Sequence, residues 1–238
     1  MKKVLFGTIL LFLPIFLWSQ GIRIGFQSGI EGTLMHELKD FNTYIKSTIP
    51  FETKIISNFP AYWYYQPSLG ILIRRFGIGL NYSYNSTGSR ISGKDYSGEY
   101  RFDMRLNKKS PGVFVDYLLT VSDIGFCLGA ELTGGLMYST LHTEQYLMVN
   151  NSTLSNDSYL FISRNYFFQP GFNVTYSWHS FEFEINIGYL FQFGEGTFQN
   201  KSDKQLVLIN NSTGNAIKPD WQGLKLGVTV NFVLINSI

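Results

Sequence analysis

The chain has 238 residues, of which 45% are hydrophobic, 17% aromatic and only 15% charged. So much aromatic side chain with so little charge excludes a disordered protein, and the length suits one domain of barrel size. The formal net charge of +2 is that of Lys2 and Lys3; without them 17 basic residues face 17 acidic ones, which gives no case for nucleic-acid binding.

The N-terminal stretch MKKVLFGTILLFLPIFLWSQ sets two lysines before an apolar run from Val4 to Trp18 and ends on Ser19 and Gln20. That layout predicts a secretory signal peptide over residues 1–20, processing near Ser19–Gln20, and a mature domain over residues 21–238. A membrane anchor is the alternative, but a helical span needs about 20 apolar residues. This run is shorter and contains Pro14. No Cys follows it, so a lipoprotein anchor is not expected, and the single Cys127 cannot form an internal disulfide. No later segment reaches 18 unbroken apolar residues, so no helical membrane span is predicted.

Period-two alternation then returns eight times along the chain. Ile22, Ile24 and Phe26 alternate with Arg23, Gly25 and Gln27. Trp63, Tyr65, Leu69, Ile71 and Ile73 form the second apolar face, and Phe76, Ile78, Leu80, Tyr82 and Tyr84 the third. Val113, Val115, Tyr117 and Leu119 oppose Asp116 and Thr120; Ile124 to Leu132 oppose Gly125, Cys127, Gly129 and Glu131. Phe168, Phe172, Val174, Tyr176 and Trp178 make the sixth face. In the seventh, FEFEINIGYLFQF, apolar side chains hold the odd positions from Phe181 to Phe193, with Leu190 the exception among the even ones. Leu224, Leu226, Val228, Val230 and Phe232 make the eighth.

Links between segments alternate in length. Short turns are predicted at Arg74–Arg75, Val121–Asp123 and His179–Ser180, and long polar loops over residues 31–60, 85–96, 142–158 and 198–219. An even strand count with short turns at one rim and long loops at the other predicts an all-β fold. Its expected form is an eight-stranded antiparallel up-and-down transmembrane β-barrel with long external loops and short periplasmic turns. In the fourth segment Tyr100, Phe102, Met104 and Leu106 hold even parity, whereas Val113 onward holds odd parity. A bulge or kink is therefore expected across NKKSPG, with residues 97–107 extending the hairpin above the bilayer. In the first loop Leu34, Leu38, Phe41 and Ile45 recur at helical spacing. Either a short amphipathic helix capping the barrel mouth or an ordered loop satisfies that spacing.

The polar faces are rich in glycine, with Gly25, Gly70, Gly77, Gly79, Gly129, Gly171, Gly188 and Gly227 among them, as the narrow interior of a small barrel requires. Arg23, Arg74, Asp116, Glu131, Glu182, Glu184 and Lys225 share those faces, so a paired network inside a filled lumen is expected. The apolar faces carry no charge in their middles and are bracketed by Tyr65, Tyr82, Tyr117, Tyr138, Trp178 and Phe181, as a lipid-facing band with aromatic girdles would be.

On its signal peptide, glycine-alternating strands and eight-strand pattern, the mature chain resembles the outer-membrane β-barrel domain proteins of Bacteroidota, the broad set that includes PorT-like proteins. The resemblance implies the cell outer membrane, and PorT-like members are implicated in protein secretion. Members of this group usually end on an aromatic, whereas here Phe232 is followed by VLINSI.

Candidate chemistry is sparse. YSTLHTEQY sets Ser139, His142 and Glu144 close in sequence, but on a strand Ser139 faces away from the other two, so loop polarity is the expected reading. His36, His142 and His179 with one cysteine give no metal-ligand spacing. Asp116 and Glu131 are expected in interior salt bridges, Cys127 as a small lumenal filler, and Asn85 and Asn151 in polar loops. No catalytic, cofactor-binding or metal-binding residue is assigned. The expectation is a monomeric, non-enzymatic outer-membrane barrel without cofactor, in contact with outer-membrane lipid. Its role is structural or partner-binding, such as a secretion accessory acting through external loops. A lipid-A-modifying enzyme stands second and a small-solute pore third.

Overall fold

A computed structural model describes residues 21–49, 52–96, 98–121, 125–150, 152–211 and 213–235; the expected signal peptide lies outside them. Eight long strands follow in chain order: β1 (Gly21–Glu31), β2 (Tyr62–Ile73), β3 (Phe76–Lys94), β4 (Gly98–Val121), β5 (Phe126–Val149), β6 (Ser152–Trp178), β7 (Phe181–Phe193) and β8 (Gly223–Ile235). Each pairs antiparallel with its predecessor. The ring closes where β1 meets β8, in register from Gly21↔Ile235 to Glu31↔Lys225. Closure removes both sheet edges, so the ladder satisfies the backbone polar groups along the strands. The fold is an all-β, eight-stranded, up-and-down barrel.

Alternation fixes the faces. Arg23, Gly25, Gln27, Gly29 and Glu31 point inward on β1, while Ile22, Ile24, Phe26 and Ile30 are exposed. The same rule places Glu184 and Asn186 inside on β7, with Phe183, Ile185 and Ile187 outside. Two-residue turns join β2 to β3 and β6 to β7, and left-handed backbone at Arg74 (φ 56°) and His179 (φ 57°) reverses the chain there. Arg74, expected in the lumen, instead sits exposed in its turn.

Three sequence expectations need correction at the opposite, upper rim. Residues 85–94, 142–149 and 152–158 are strand rather than loop. β3 and β4 continue as one hairpin to the pair Lys94↔Glu99, and β5 and β6 to Val149↔Ser152. Their polar residues extend the ladder beyond the apolar band because backbone hydrogen bonding, not side-chain hydropathy, holds a strand whose outer face meets water. Accordingly Asn85, assigned to a loop, is an inward, buried strand residue.

The bulge expected at NKKSPG is also absent. β3 and β4 keep one unbroken register from Phe76↔Tyr117 to Lys94↔Glu99, and even-numbered residues of β4 face inward throughout. What changes along β4 is the chemistry of the interior. Asp116, Ser110 and Lys108 line a polar lumen, whereas Leu106, Met104, Phe102 and Tyr100 enter an apolar one. The register does shift between Leu118 and Thr120, at the turn end.

The first link contains helix α1 (His36–Thr48) and a short strand, Lys54–Asn58, that pairs with the extension of β3. Glu37 stands in the first turn of α1 and Lys46 in the last, each complementing the helix dipole. The helix ends at Ile49, which takes extended geometry (φ −84°, ψ 127°), as a residue before a proline does. Leu38 and Phe41 are buried and Ile45 packs beside them, so the helical alternative is the correct one for this loop. Phe41 meets Phe102 edge-on with centroids 6.4 Å apart. With Ile91, Met104, Leu106, Met137, Leu141, Phe161 and Trp221 they form one apolar core above the lumen. At roughly 1.5–3 kcal/mol per buried large side chain, this core ties the helix to the extended hairpins. The last link, between β7 and β8, contributes Phe198, Ile217 and Trp221 to the same core.

Candidate functional site

The lumen is built in layers of buried charged and polar side chains. Nearest the short turns, Arg23 forks onto Asp116 with contacts of 2.6 and 3.1 Å. Its guanidinium is 3.8 Å from Glu184 and lies over the Phe114 ring at 5.4 Å. Asn231 donates to Glu184 at 2.6 Å. Arg23, Asp116 and Glu184 are all buried, so each charge needs these partners. Glycine makes the space: a Cβ on Gly77 would sit 2.2 Å from Asp116 Oδ1.

One layer higher, the Lys225 ammonium donates to Gln66 at 2.6 Å and Gln169 at 3.3 Å and lies 4.1 Å from the Tyr64 ring centroid. Gly227 admits that tyrosine, since a Cβ there would be 2.0 Å from its hydroxyl oxygen. Asp116 and Glu131 are register partners; the interior salt bridge expected of each is made by Asp116, whereas Glu131 makes no ion pair among the described residues. Asp116 pairs with Arg23, and Glu131 accepts from Thr133 at 2.8 Å. Cys127 is buried at the turn end, as expected of a filler.

The uppermost polar layer was missed by sequence reasoning. Lys108 and Glu31 form an ion pair with both side chains at 0% exposure, and Lys108 lies 4.9 Å from the Trp221 ring centroid. Trp221 in turn donates its indole N–H to Ser139 at 2.9 Å. Trp221 and the apolar core then close the upper end. Two voids lined by lumenal residues measure about 60 and 20 Å³, room for a few waters.

Outside, large apolar side chains are exposed on all eight strands, among them Ile24, Leu69, Leu80, Val113, Leu128, Phe172, Ile185 and Val228. Aromatic pairs flank this band. Phe76–Tyr117, Phe126–Tyr176 and Phe181–Phe232 lie toward the turns, with centroids 4.7, 4.9 and 5.4 Å apart. Phe26–Tyr65 and Tyr189–Phe191 lie toward the other rim, at 6.3 and 4.7 Å.

Of the candidate chemistry, Ser139 faces inward and is separated from His142 and Glu144, which lie on the outer wall of the β5 extension. His142 instead meets Ser158 of β6, Nε2 to Oγ at 2.9 Å, and its Nδ1 is 3.5 Å from Glu144. No sequence signal marks Ser158, because the β5–β6 register that sets it opposite Glu144 lies in a stretch that reads as loop. Beside them opens a cleft of about 380 Å³ lined by Arg90, Asp103, Arg105, His142 and Glu144. Arg90 forks onto Asp103 at 2.5 and 3.0 Å, and that hydrogen bonding raises its guanidinium pKa further. In the apolar interior of the extension, burial pushes the Tyr100 phenol up to about 12. His36 pairs with Asp220 at 3.0 Å at the upper rim, and His179 stays in its turn. Among the described residues no group of three His, Cys, Asp or Glu side chains could hold a metal ion.

No family model and no curated protein matches this chain. Among solved structures, CarO2 of Acinetobacter baumannii is similar over 90% of this chain and 100% of its own, with TM-score 0.36 and 11% identity.

Proposed function

We propose that the chain is an integral outer-membrane barrel with a sealed lumen, and that it acts by presenting its folded upper extension to a protein partner. The membrane setting is supported by the uninterrupted apolar outer wall. A band exposed on every strand would not be tolerated in water, whereas a closed ladder facing hydrocarbon is the arrangement a bilayer demands. On β7 the band spans the full strand, and with the usual strand tilt that is roughly 30 Å in height.

The observation that carries the partner-binding reading is the extension itself. Two long hairpins, α1 and the β7–β8 link share one apolar core, so the projection is rigid. It nonetheless leaves Ile56, Tyr96, Leu154 and Leu206 at 58% exposure or more. A secretion-accessory role, which the PorT-like resemblance implies, fits a platform of that kind. Two measurements test the proposal together. Planar-bilayer recordings of the purified protein should show no conductance steps. Photo-crosslinkers at Tyr96 and Leu154 in intact cells should give one discrete adduct that disappears when residues 150–158 are replaced by a tight turn. Conductance, or the absence of adducts at both positions, would remove this reading.

The Ser158–His142–Glu144 arrangement favours a second reading, a lipid-modifying enzyme, because a hydroxyl hydrogen-bonded to an imidazole with a carboxylate 3.5 Å from its other nitrogen resembles a nucleophile's arrangement. If it is one, overexpression should change the acylation pattern of lipid A and Ser158→Ala should abolish the change. Identical lipid mass spectra for empty vector, parent and variant would eliminate it.

A further inference from the structure

The outer wall carries a row of side chains whose pattern differs around the barrel. On β1, β2, β3, β7 and β8 the apolar band contains no charged outward residue. On the β4–β6 face its upper edge is met at once by cations. Lys109, Tyr138 and Arg164 are register partners across three adjacent strands, Lys109↔Tyr138 and Tyr138↔Arg164, and all three are exposed outward positions. Tyr84 of β3 and Tyr65 of β2 continue the row on the other side of Lys109. The order across the sheet is therefore aromatic, aromatic, cation, aromatic, cation. The Arg164 guanidinium lies over the Tyr138 ring at 5.4 Å.

Neither cation has an acidic partner among the described residues. The outward carboxylates around the row are engaged elsewhere: Asp103 with Arg90 and Arg101, Glu144 beside His142, and Glu195, whose neighbour Gly196 packs on the Arg164 backbone, with Lys218. Arg105, two outward positions above Lys109, likewise makes no ion pair among the described residues. Adjacent strands stand about 4.8 Å apart, so Lys109 and Arg164 flank Tyr138 with their backbones about 10 Å apart. Their long side chains can close on one anion between them. Directly below, on the same strands, lie Pro111, Leu136, Tyr166 and Phe168.

We propose that this face binds the phosphorylated headgroup of an outer-leaflet lipid, its phosphate held between Lys109 and Arg164 over Tyr138 and its acyl chains lying on the apolar wall below. Charge complementarity names the phosphate: an arginine fork and a lysine point charge together recognise that group. Continuity with the apolar band names the lipid, since a soluble anion would gain nothing from Leu136 and Phe168. Arg105 stands where a second headgroup anion or sugar would reach. The inference rests on the membrane reading above, and its test separates the two.

The full mature chain, refolded into phosphatidylcholine nanodiscs, is titrated with lipid A bearing both phosphates and, separately, with the same lipid after dephosphorylation. Bound lipid is counted by native mass spectrometry. The parent should retain the phosphorylated lipid at least tenfold more tightly than the dephosphorylated one, and Lys109→Gln/Arg164→Gln should remove that preference. A control double variant, Lys94→Gln/Lys201→Gln, changes the net charge equally and should keep it. Inorganic phosphate at matched concentration should not displace the lipid. Equal retention by parent and Lys109→Gln/Arg164→Gln, or displacement by free phosphate, would overturn the inference. Failure to enter the nanodisc at all would overturn the membrane reading instead. Heat-modifiable migration of every variant shows that a loss is not a folding failure.

Discussion

Lys108→Ala is expected to destabilise the barrel by about 3–5 kcal/mol, read as equilibrium urea unfolding in detergent micelles or thin bilayers. Lys108 and Glu31 are both inaccessible to solvent, and Lys108 is stacked on Trp221 directly beneath the apolar core. Removing the ammonium takes away the ion-pair partner of a carboxylate in a place that water cannot reach, leaving only its register neighbour Lys225 nearby, and Glu31 Oε2 already lacks a hydrogen-bond partner. The neutral double replacement Lys108→Met/Glu31→Leu should recover most of that loss, because it removes the charge that the single change strands. An exposed pair supplies the contrast. Lys218 meets Glu195 at 3.0 Å with the carboxylate 95% exposed, and its loss should be barely measurable. A cost for Lys108→Ala as small as that of Lys218→Ala would mean that the upper lumen is hydrated and the seal is not there.

The same ion pair shows where sequence reasoning stops. Alternation alone located Arg23, Asp116, Glu184 and Lys225 inside the barrel, because each stands in a segment whose opposite face is apolar. Glu31 and Lys108 obey the same parity, one continuing Arg23, Gly25 and Gln27 and the other continuing Tyr100 to Leu106. They were hidden because the interior changes from polar to apolar at their level, and a change of interior looks identical in sequence to a change of register. Only the pairing of β4 with β3 distinguishes the two, and pairing is not a property of one strand. Leu190, the exception on β7, is explained in the same way: it is inward at the height of the apolar core.

The upper hairpins were hidden for a related reason. NSTGSRISGK and NNSTLSND carry loop composition, yet a strand needs only its backbone partners once both its flanks are paired. The amphipathic spacing in α1 narrows that segment to a helix or an ordered loop, because a helix solvates one face and buries the other whatever its neighbours are. The lumen's hydrogen bonds were not readable, since Gln66, Gln169 and Trp221 become partners only across the barrel, at sequence separations of 56 to 159 residues for the bonds they make to Lys225 and 82 for Trp221 to Ser139. Ser158 and His142 met by hairpin register, which could have been guessed only after the link between them had been recognised as strand.

Ile187→Arg should cost about 2–4 kcal/mol for a barrel folded in phospholipid vesicles, whereas arginine at Phe193 or Trp178, at the ends of the same face, should cost about 0–1 kcal/mol. Ile187 is at the centre of β7, six residues from each end of the strand, and is 48% exposed. Its neighbours across the sheet are Phe172 and Leu226, so an arginine there finds no carboxylate to pair with. In hydrocarbon the guanidinium must be dragged toward either interface, and the cost depends on depth. In water, exchanging a half-exposed isoleucine for arginine breaks no contact of consequence and should stay within about 0.5 kcal/mol wherever it is made. The gradient from the middle of the outer wall at Ile187 to its rims at Phe193 of β7 and Trp178 of the neighbouring β6 is therefore the measurement of what touches that wall. A flat profile across Trp178, Ile187 and Phe193 would mean that the exposed apolar belt meets water or another protein surface, and the phosphate row at Lys109 and Arg164 would lose its lipid.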